Sequence, residues 1–126
     1  MLTDTLKVGT LIVTLALASG TAMLAARSAS AQGSGAALFS SDCARCHGDA
    51  LEGGEGPPLV GPDNAIGTYK TAGALLQYAM ENMPNDQPAT LAPEEYSAII
   101  GFILSKHGVT VPECFNPENG AGIVLP

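Results

Sequence analysis

No stretch constrains this 126-residue chain more than Cys43-Ala44-Arg45-Cys46-His47. Two thiols separated by two residues and followed at once by an imidazole suit haem attachment. The thiols add across the vinyl groups to give thioethers, and the adjacent His reaches the iron as proximal ligand. Cys-x-x-Cys also suits a zinc site or a dithiol redox pair. Zinc needs two further ligands at compatible spacing, and the only other Cys and His are Cys114 and His107, unpaired and distant. A thioredoxin-like pair needs βαβ surroundings, whereas this segment reads as a helix entering a Gly/Pro-rich loop. A covalent haem supplies a large apolar body for the core, which offsets a composition with three Phe, three Tyr and no Trp. Without it the chain is expected to be poorly folded.

Attachment of this kind requires export, and the N-terminal part has the layout for it. A Lys near the start precedes a charge-free run from Val8 to Ala26, rich in Leu, Val and Ala, and then Ala29-Ser30-Ala31. Residues 1–31 therefore read as a secretory signal peptide cut after Ala31. The competing reading is an uncleaved anchor, since the run is almost long enough to span a bilayer; its Thr, Ser and Gly content argues against that. Export points to a periplasmic protein with no membrane attachment after cleavage. Residues 32–126 suffice for one modest domain and not for two. Three bases in that part (Arg45, Lys70, Lys106) stand against eleven acids, and the whole chain has a formal net charge of −7. Such a surface argues against nucleic acid and anionic lipid, and suits redox protein partners with basic docking surfaces.

No alternation is long enough to build a sheet, so the fold class is all-α. A first helix is expected over about Ala36 to Cys46, with Gly35, Phe39, Cys43 and His47 four apart on one face. Gly and Pro make Gly48 to Lys70 an irregular loop. A second helix spans about Thr71 to Asn82, with Leu75, Leu76 and Ala79 inward. A last helix starts near Pro93, holds Glu94 and Glu95 in its first turn, and ends at Lys106-His107-Gly108. Its apolar residues on two neighbouring faces predict burial over a wide arc. Ala92 stands where an N-cap acceptor is expected, which leaves the capping to Thr90 or to the turn itself.

With these residues in view, the chain resembles a small class I cytochrome c over nearly all of residues 32–126. The N-terminal helix shows Gly35-x3-Phe39-x3-Cys43-x2-Cys46-His47, and Gly56-Pro57-Pro58-Leu59-Val60-Gly61 is similar to that family's GPxLxG stretch. The resemblance implies three to four helices wrapped around one covalently bound haem c. It also implies that the Pro57 carbonyl accepts from His47, fixing its tautomer, and that Phe102 packs with Gly35 and Phe39 where two helices cross.

Two methionines compete for the other side of the iron. Pro84 pushes Met83 out of helical geometry just past the second helix, while Met80 stays inside it. The resemblance agrees on Met83, with Met80 as a core or haem-edge residue. His107 is read as a cap on the end of its own helix rather than as a ligand. Tyr69 and Tyr96 either hydrogen-bond a propionate or pack, Tyr69 being the better candidate for the former. Cys114, in the extension 109–126, is expected to be buried under Val111, Phe115, Ile123, Val124 and Leu125; the competing reading is an intermolecular disulfide.

The expected site is thus Cys43, Cys46, His47, Met83, Pro57 and Tyr69, with His47 and Met83 on the metal. The expected role is one-electron transfer and not enzymatic catalysis: a periplasmic carrier between a dehydrogenase and a respiratory acceptor. Resemblance to the cytochrome domains that accompany quinone-cofactor alcohol dehydrogenases makes such an enzyme a plausible donor and a terminal oxidase a plausible acceptor. The alternatives are a membrane-anchored cytochrome subunit of an oxidoreductase complex and, further off, a haem ligand-binding sensor or peroxidase.

Overall fold

The computed structural model describes residues 34–126. The signal or anchor reading of residues 1–31 falls outside them, and no helix among the described residues is long and apolar enough to cross a membrane. The architecture is all-α: an isolated bridge between Thr71 and Val124 is the sole β pairing among the described residues.

The N-terminal helix is broken where one continuous helix was expected. Residues 34–42 form α1, Cys43 departs to φ −121° and ψ −34°, and α2 resumes over Ala44–His47. The break is a tightening of the chain: Cys46 N–H donates to Cys43 O at 3.1 Å while His47 N–H reaches the same carbonyl at 3.0 Å. Gly48, at φ +79°, then ends the helix in a conformation that glycine adopts without penalty.

Helix α1 crosses α4 (Pro93–Ser105) at Gly35. A Cβ there would stand 2.2 Å from Ala98 O and 3.0 Å from Phe102 Cβ, so only a residue without a side chain permits this approach. Phe39, 2% exposed, packs its ring 5.8 Å from that of Phe102. Residues Tyr96, Ile99, Ile100, Ile103 and Leu104 of α4 are all buried, the wide arc that the sequence predicts.

Helix α3 (Ala72–Asn82) starts where Thr71 Oγ1 accepts from Ala74 N–H at 3.2 Å and buries Leu75, Leu76 and Ala79. The turn, and not Thr90, supplies the N-terminal bonds of α4: Ala92 O accepts the Glu95 and Tyr96 N–H groups at 3.0 and 3.1 Å. Thr90 Oγ1 instead donates to Gln87 O, and Glu95 reaches back to take the Ala92 N–H at 2.8 Å. Half of a capping box thus forms without a polar N-cap side chain.

The tail is more ordered than its Pro and Gly content suggests. Asn116 and Asn119 exchange side-chain to backbone bonds at 3.0 and 2.9 Å, starting a one-turn helix α5 over Pro117–Gly120. It lies against α3 so closely that a Cβ on Gly73 would come 2.2 Å from Pro117 O. Ala72 N–H donates to Ile123 O, and Leu125 N–H to Lys70 O, each at 2.8 Å. The expected burial of Cys114 is corrected: its side chain is exposed, because its neighbour Phe115 takes the inward position at 5% exposure. Val124 is likewise 75% exposed, since the bridged segment alternates and buries Leu125 instead.

Candidate functional site

The broken N-terminal helix, the Gly48 to Lys70 loop, the end of α3 and the inner face of α4 enclose a cleft of about 150 Å³. Its walls include Ile66, Leu75, Ala79, Ile99, Ile100 and Ile103, and Cys43, His47, Pro57, Tyr69 and Met83 all face it. Cys46 lines an adjoining opening of about 320 Å³, which shares Cys43, His47, Pro57, Met83 and Pro84 with the first. All six expected site residues therefore line one or the other of these two adjoining openings, and four of them line both.

His47 is held from two directions. Its Nδ1 stands 2.8 Å from the Pro57 carbonyl, and since a carbonyl only accepts, Nδ1 carries the proton. The Gly56 backbone abuts the ring: a Cβ there would lie 2.9 Å from Cε1 and 3.1 Å from Nδ1. With Nδ1–H committed, Nε2 keeps its lone pair and has no hydrogen-bond partner among the described residues. Burial, with Asp42 and Cys46 adding to it, pushes the Cys43 thiol up to about 11. A thiolate is disfavoured at this position, whereas a neutral thioether sulfur carries no charge to desolvate.

Met83 sits past the end of α3 in extended geometry, φ −118° and ψ 152°, and lines the cleft. Met80 does not line it and packs against the core. One contact on this side escaped the sequence reading. The Tyr96 hydroxyl donates to Met83 O at 2.5 Å and stands 3.5 Å from the Leu91 N–H, clamping both ends of the Pro84 to Thr90 loop to α4. A polar residue in the first turn of a buried helix was the available signal. Replacing it, Tyr96→Phe, leaves a half-buried carbonyl without its donor and is expected to lower stability by about 1–2 kcal/mol. Urea unfolding at unchanged m checks this; an unmoved midpoint would contradict the clamp.

Tyr69 packs, one of the two alternatives open for it, and one further assignment, that of His107, changes. Tyr69 packs its ring 4.8 Å from that of Tyr78, and burial first, Tyr78 second, pushes its phenol up to about 12. His107 does not cap its own helix: its Nε2 lies 2.7 Å from Leu59 O, across in the loop. On the rim, Arg45 pairs with Asp86 at 2.6 Å, joining the thiol-bearing segment to the Met83 loop. The Arg45 hydrogen bond holds the Asp86 carboxyl below its ordinary value. The pair is therefore intact at neutral pH and lost as acid protonates Asp86, and its exposure leaves it open to screening by salt.

The residues present fit a haem c. The walls are apolar, the Tyr96 hydroxyl is the one polar side-chain group on a buried residue among the described residues, and the two openings bring together two thiols, a free imidazole nitrogen and a thioether. No group of three or more His, Cys, Asp or Glu side chains among them could hold a bare metal ion. One imidazole and one thioether suit an iron whose remaining positions a macrocycle fills.

Comparison with known proteins gives two similarities. The family model described as "Cytochrome C oxidase, cbb3-type, subunit III" matches residues 30–103. The crystal structure of the sulfane dehydrogenase SoxCD from Paracoccus pantotrophus is similar at 34% identity and a TM-score of 0.60, over 75% of this chain and 52% of that one. The chain thus spans about half the length of the structure it matches. No curated protein matches it.

Proposed function

This chain belongs to the family of the cbb3-type cytochrome c oxidase subunit III, and on that footing we propose that it transfers single electrons within an oxidoreductase complex through one covalent haem c. It is an electron-transfer protein and not an enzyme in its own right. One similarity is to an oxidase subunit and the other to a dehydrogenase. Both support a place in such a complex over the free periplasmic shuttle that the sequence suggests.

In this reading the fold is that of a class I cytochrome c. Cys43 and Cys46 would form the thioethers, and His47 Nε2 and the Met83 sulfur would ligate the iron. The observation that carries it is the shared cleft, with His47 Nδ1 tied to Pro57 O so that Nε2 is left to ligate. The haem supplies an iron that accepts and releases one electron. The chain does the rest. Pro57 keeps the imidazole in one tautomer and raises its basicity. Met83, a weak neutral donor, raises the reduction potential relative to a second imidazole. The apolar walls exclude water, and Tyr96 holds the Met83 backbone in place. If His47 and Met83 both hold the iron, external ligands would have no open site, which disfavours the sensor and peroxidase readings.

The reduced protein is therefore expected not to bind carbon monoxide at neutral pH, as its visible spectrum under the gas will show. Rapid binding would mean an open iron and would contradict the assignment. The acidic surface adds a second expectation: electron exchange with a basic partner slows as ionic strength rises.

A further inference from the structure

Helix α4 is followed by a histidine that electron transfer through the cleft does not use. His107 N–H donates to Leu104 O at 3.0 Å, Val109 N–H returns to the same carbonyl at 3.1 Å, and Gly108 at φ +71° turns the chain between them. From this fixed helix end the imidazole crosses to the loop, where Nε2 lies 2.7 Å from Leu59 O. Because the carbonyl only accepts, Nε2 is protonated and donates whether the ring is neutral or charged.

Leu59 is buried and stands two residues after Pro57. Each carbonyl of the segment Pro57-Pro58-Leu59 accepts from a different part of the chain. His47 Nδ1–H serves Pro57 O at 2.8 Å, Ala65 N–H serves Pro58 O at 3.0 Å, and His107 serves Leu59 O. Two consecutive prolines fix φ and offer no N–H, so the segment shifts as a unit. Leu59 is held at both backbone groups, its N–H donating to Leu51 O at 2.8 Å, and where its O is held helps to set where Pro57 O stands. Of the bonds that anchor the segment beyond His47 itself, that of His107 is the one made by a side chain.

We propose that His107 is a positioning residue for His47: its bond to Leu59 O holds the Pro57–Leu59 segment where Pro57 O accepts the His47 Nδ1–H. This rests on the haem reading, since the consequence is electronic. An imidazole that donates a strong hydrogen bond is a more basic ligand and favours the ferric state. Loosening the segment weakens that bond, and the reduction potential rises.

The test is a redox titration of the haem-loaded full chain against mediators of fixed potential, with melting temperature read in parallel, for wild type, His107→Ala, His107→Gln and His107→Asn. A core variant remote from the loop, Phe115→Leu, serves as the destabilised control. His107→Ala is expected to raise the ferrous-to-ferric ratio several-fold at a given mediator potential and to speed solvent exchange of the His47 Nδ1 proton. Gln, whose amide can donate to Leu59 O, is expected to restore most of the ratio. Asn, shorter by one methylene, is expected to behave like Ala and carries the test if the Ala variant fails to retain haem. A His107→Ala or His107→Asn protein that melts lower, as Phe115→Leu does, yet keeps the wild-type ratio overturns the inference. A wild-type spectrum without a histidine-ligated haem overturns the functional reading itself, and that result is read before any variant is compared.

Discussion

Replacing Cys43 and Cys46 together by serine is expected to yield a chain that carries no covalent haem and does not hold its fold. The cleft lies inside the core, between α3, α4 and the loop after α2, and its walls are the same residues that the helices bury. Left without its occupant, a cavity of about 150 Å³ forfeits roughly 4 kcal/mol at about 24 cal/mol per Å³. The apolar area that the group would cover is lost in addition. A domain of this size has about 5–15 kcal/mol in total, so the variant falls to the edge of stability or below it. Intact mass spectrometry after expression in a host competent for haem attachment reads the first effect, and far-UV circular dichroism with a thermal scan reads the second. A double variant that keeps the haem mass through denaturation, or one that melts cooperatively at the wild-type temperature, would contradict the role given to these thiols.

The second large effect is expected at Gly35, and its sign is informative. Glycine to alanine within a helix ordinarily stabilises, by up to about 1 kcal/mol in a helix interior and less in a first turn. Here the added Cβ would meet Ala98 O at 2.2 Å and Phe102 Cβ at 3.0 Å, and the first of these is helix backbone that cannot swing away. The crossing of α1 and α4 must open, which costs about 3 kcal/mol by the measure of overpacked cores. For a domain of this size the melting temperature should fall on the order of 10–20 °C. The Phe39 and Phe102 ring contact at 5.8 Å opens with it, and near-ultraviolet circular dichroism should report that loss. A Gly35→Ala protein that melts at or above the wild-type temperature would mean that the crossing is not as tight as described.

These two results bear on different levels of what the sequence encodes. The elements that local chemistry dictates were legible: Thr71 before α3, Pro93 opening α4, Gly108 after it, and Met83 driven out of α3 by Pro84. The meeting of Gly35 with Phe102 was legible only through the family resemblance; periodicity alone put Gly35 and Phe39 on the motif's own face. What was not legible depends on contacts between segments far apart in the chain. Nothing near Cys114 says that Phe115 takes the buried position, since that is decided by Ser97, whose Oγ donates to Phe115 O at 2.8 Å, and by the approach of α5 to Gly73. His107 looked like a cap because its own helix end was the only partner in view, while Leu59 is 48 residues away in sequence. The Tyr96 hydroxyl was given packing or a propionate as its alternatives, because its actual partner, Met83 O, lies across the loop, 13 residues away in sequence. The break at Cys43 was missed for a different reason: helix-forming residues flank it on both sides, and only the backbone shows where the turn tightens.

The site was more legible than the surroundings that hold it. Cys43, Cys46 and His47, then Pro57, then Met83 stand in three short stretches, and the structure brings all three to the same pair of adjoining openings. Tyr69 also reaches the first of these, although its phenol is pushed up by burial and by Tyr78, which leaves it a poor candidate for ionisation. Family membership and the similarity to the sulfane dehydrogenase structure add what no single residue carries, namely kinship with proteins described as an oxidase subunit and a dehydrogenase.

The most direct test of the central claim, a haem c held by His47 and Met83, is the absorption spectrum of the ferric holoprotein in the far red, taken for wild type and for Met83→Ala. The account predicts a weak sulfur-to-iron charge-transfer band in the wild type and its disappearance in the variant. A wild type without the band, or a variant that retains it, would contradict the assignment of Met83 as the distal ligand.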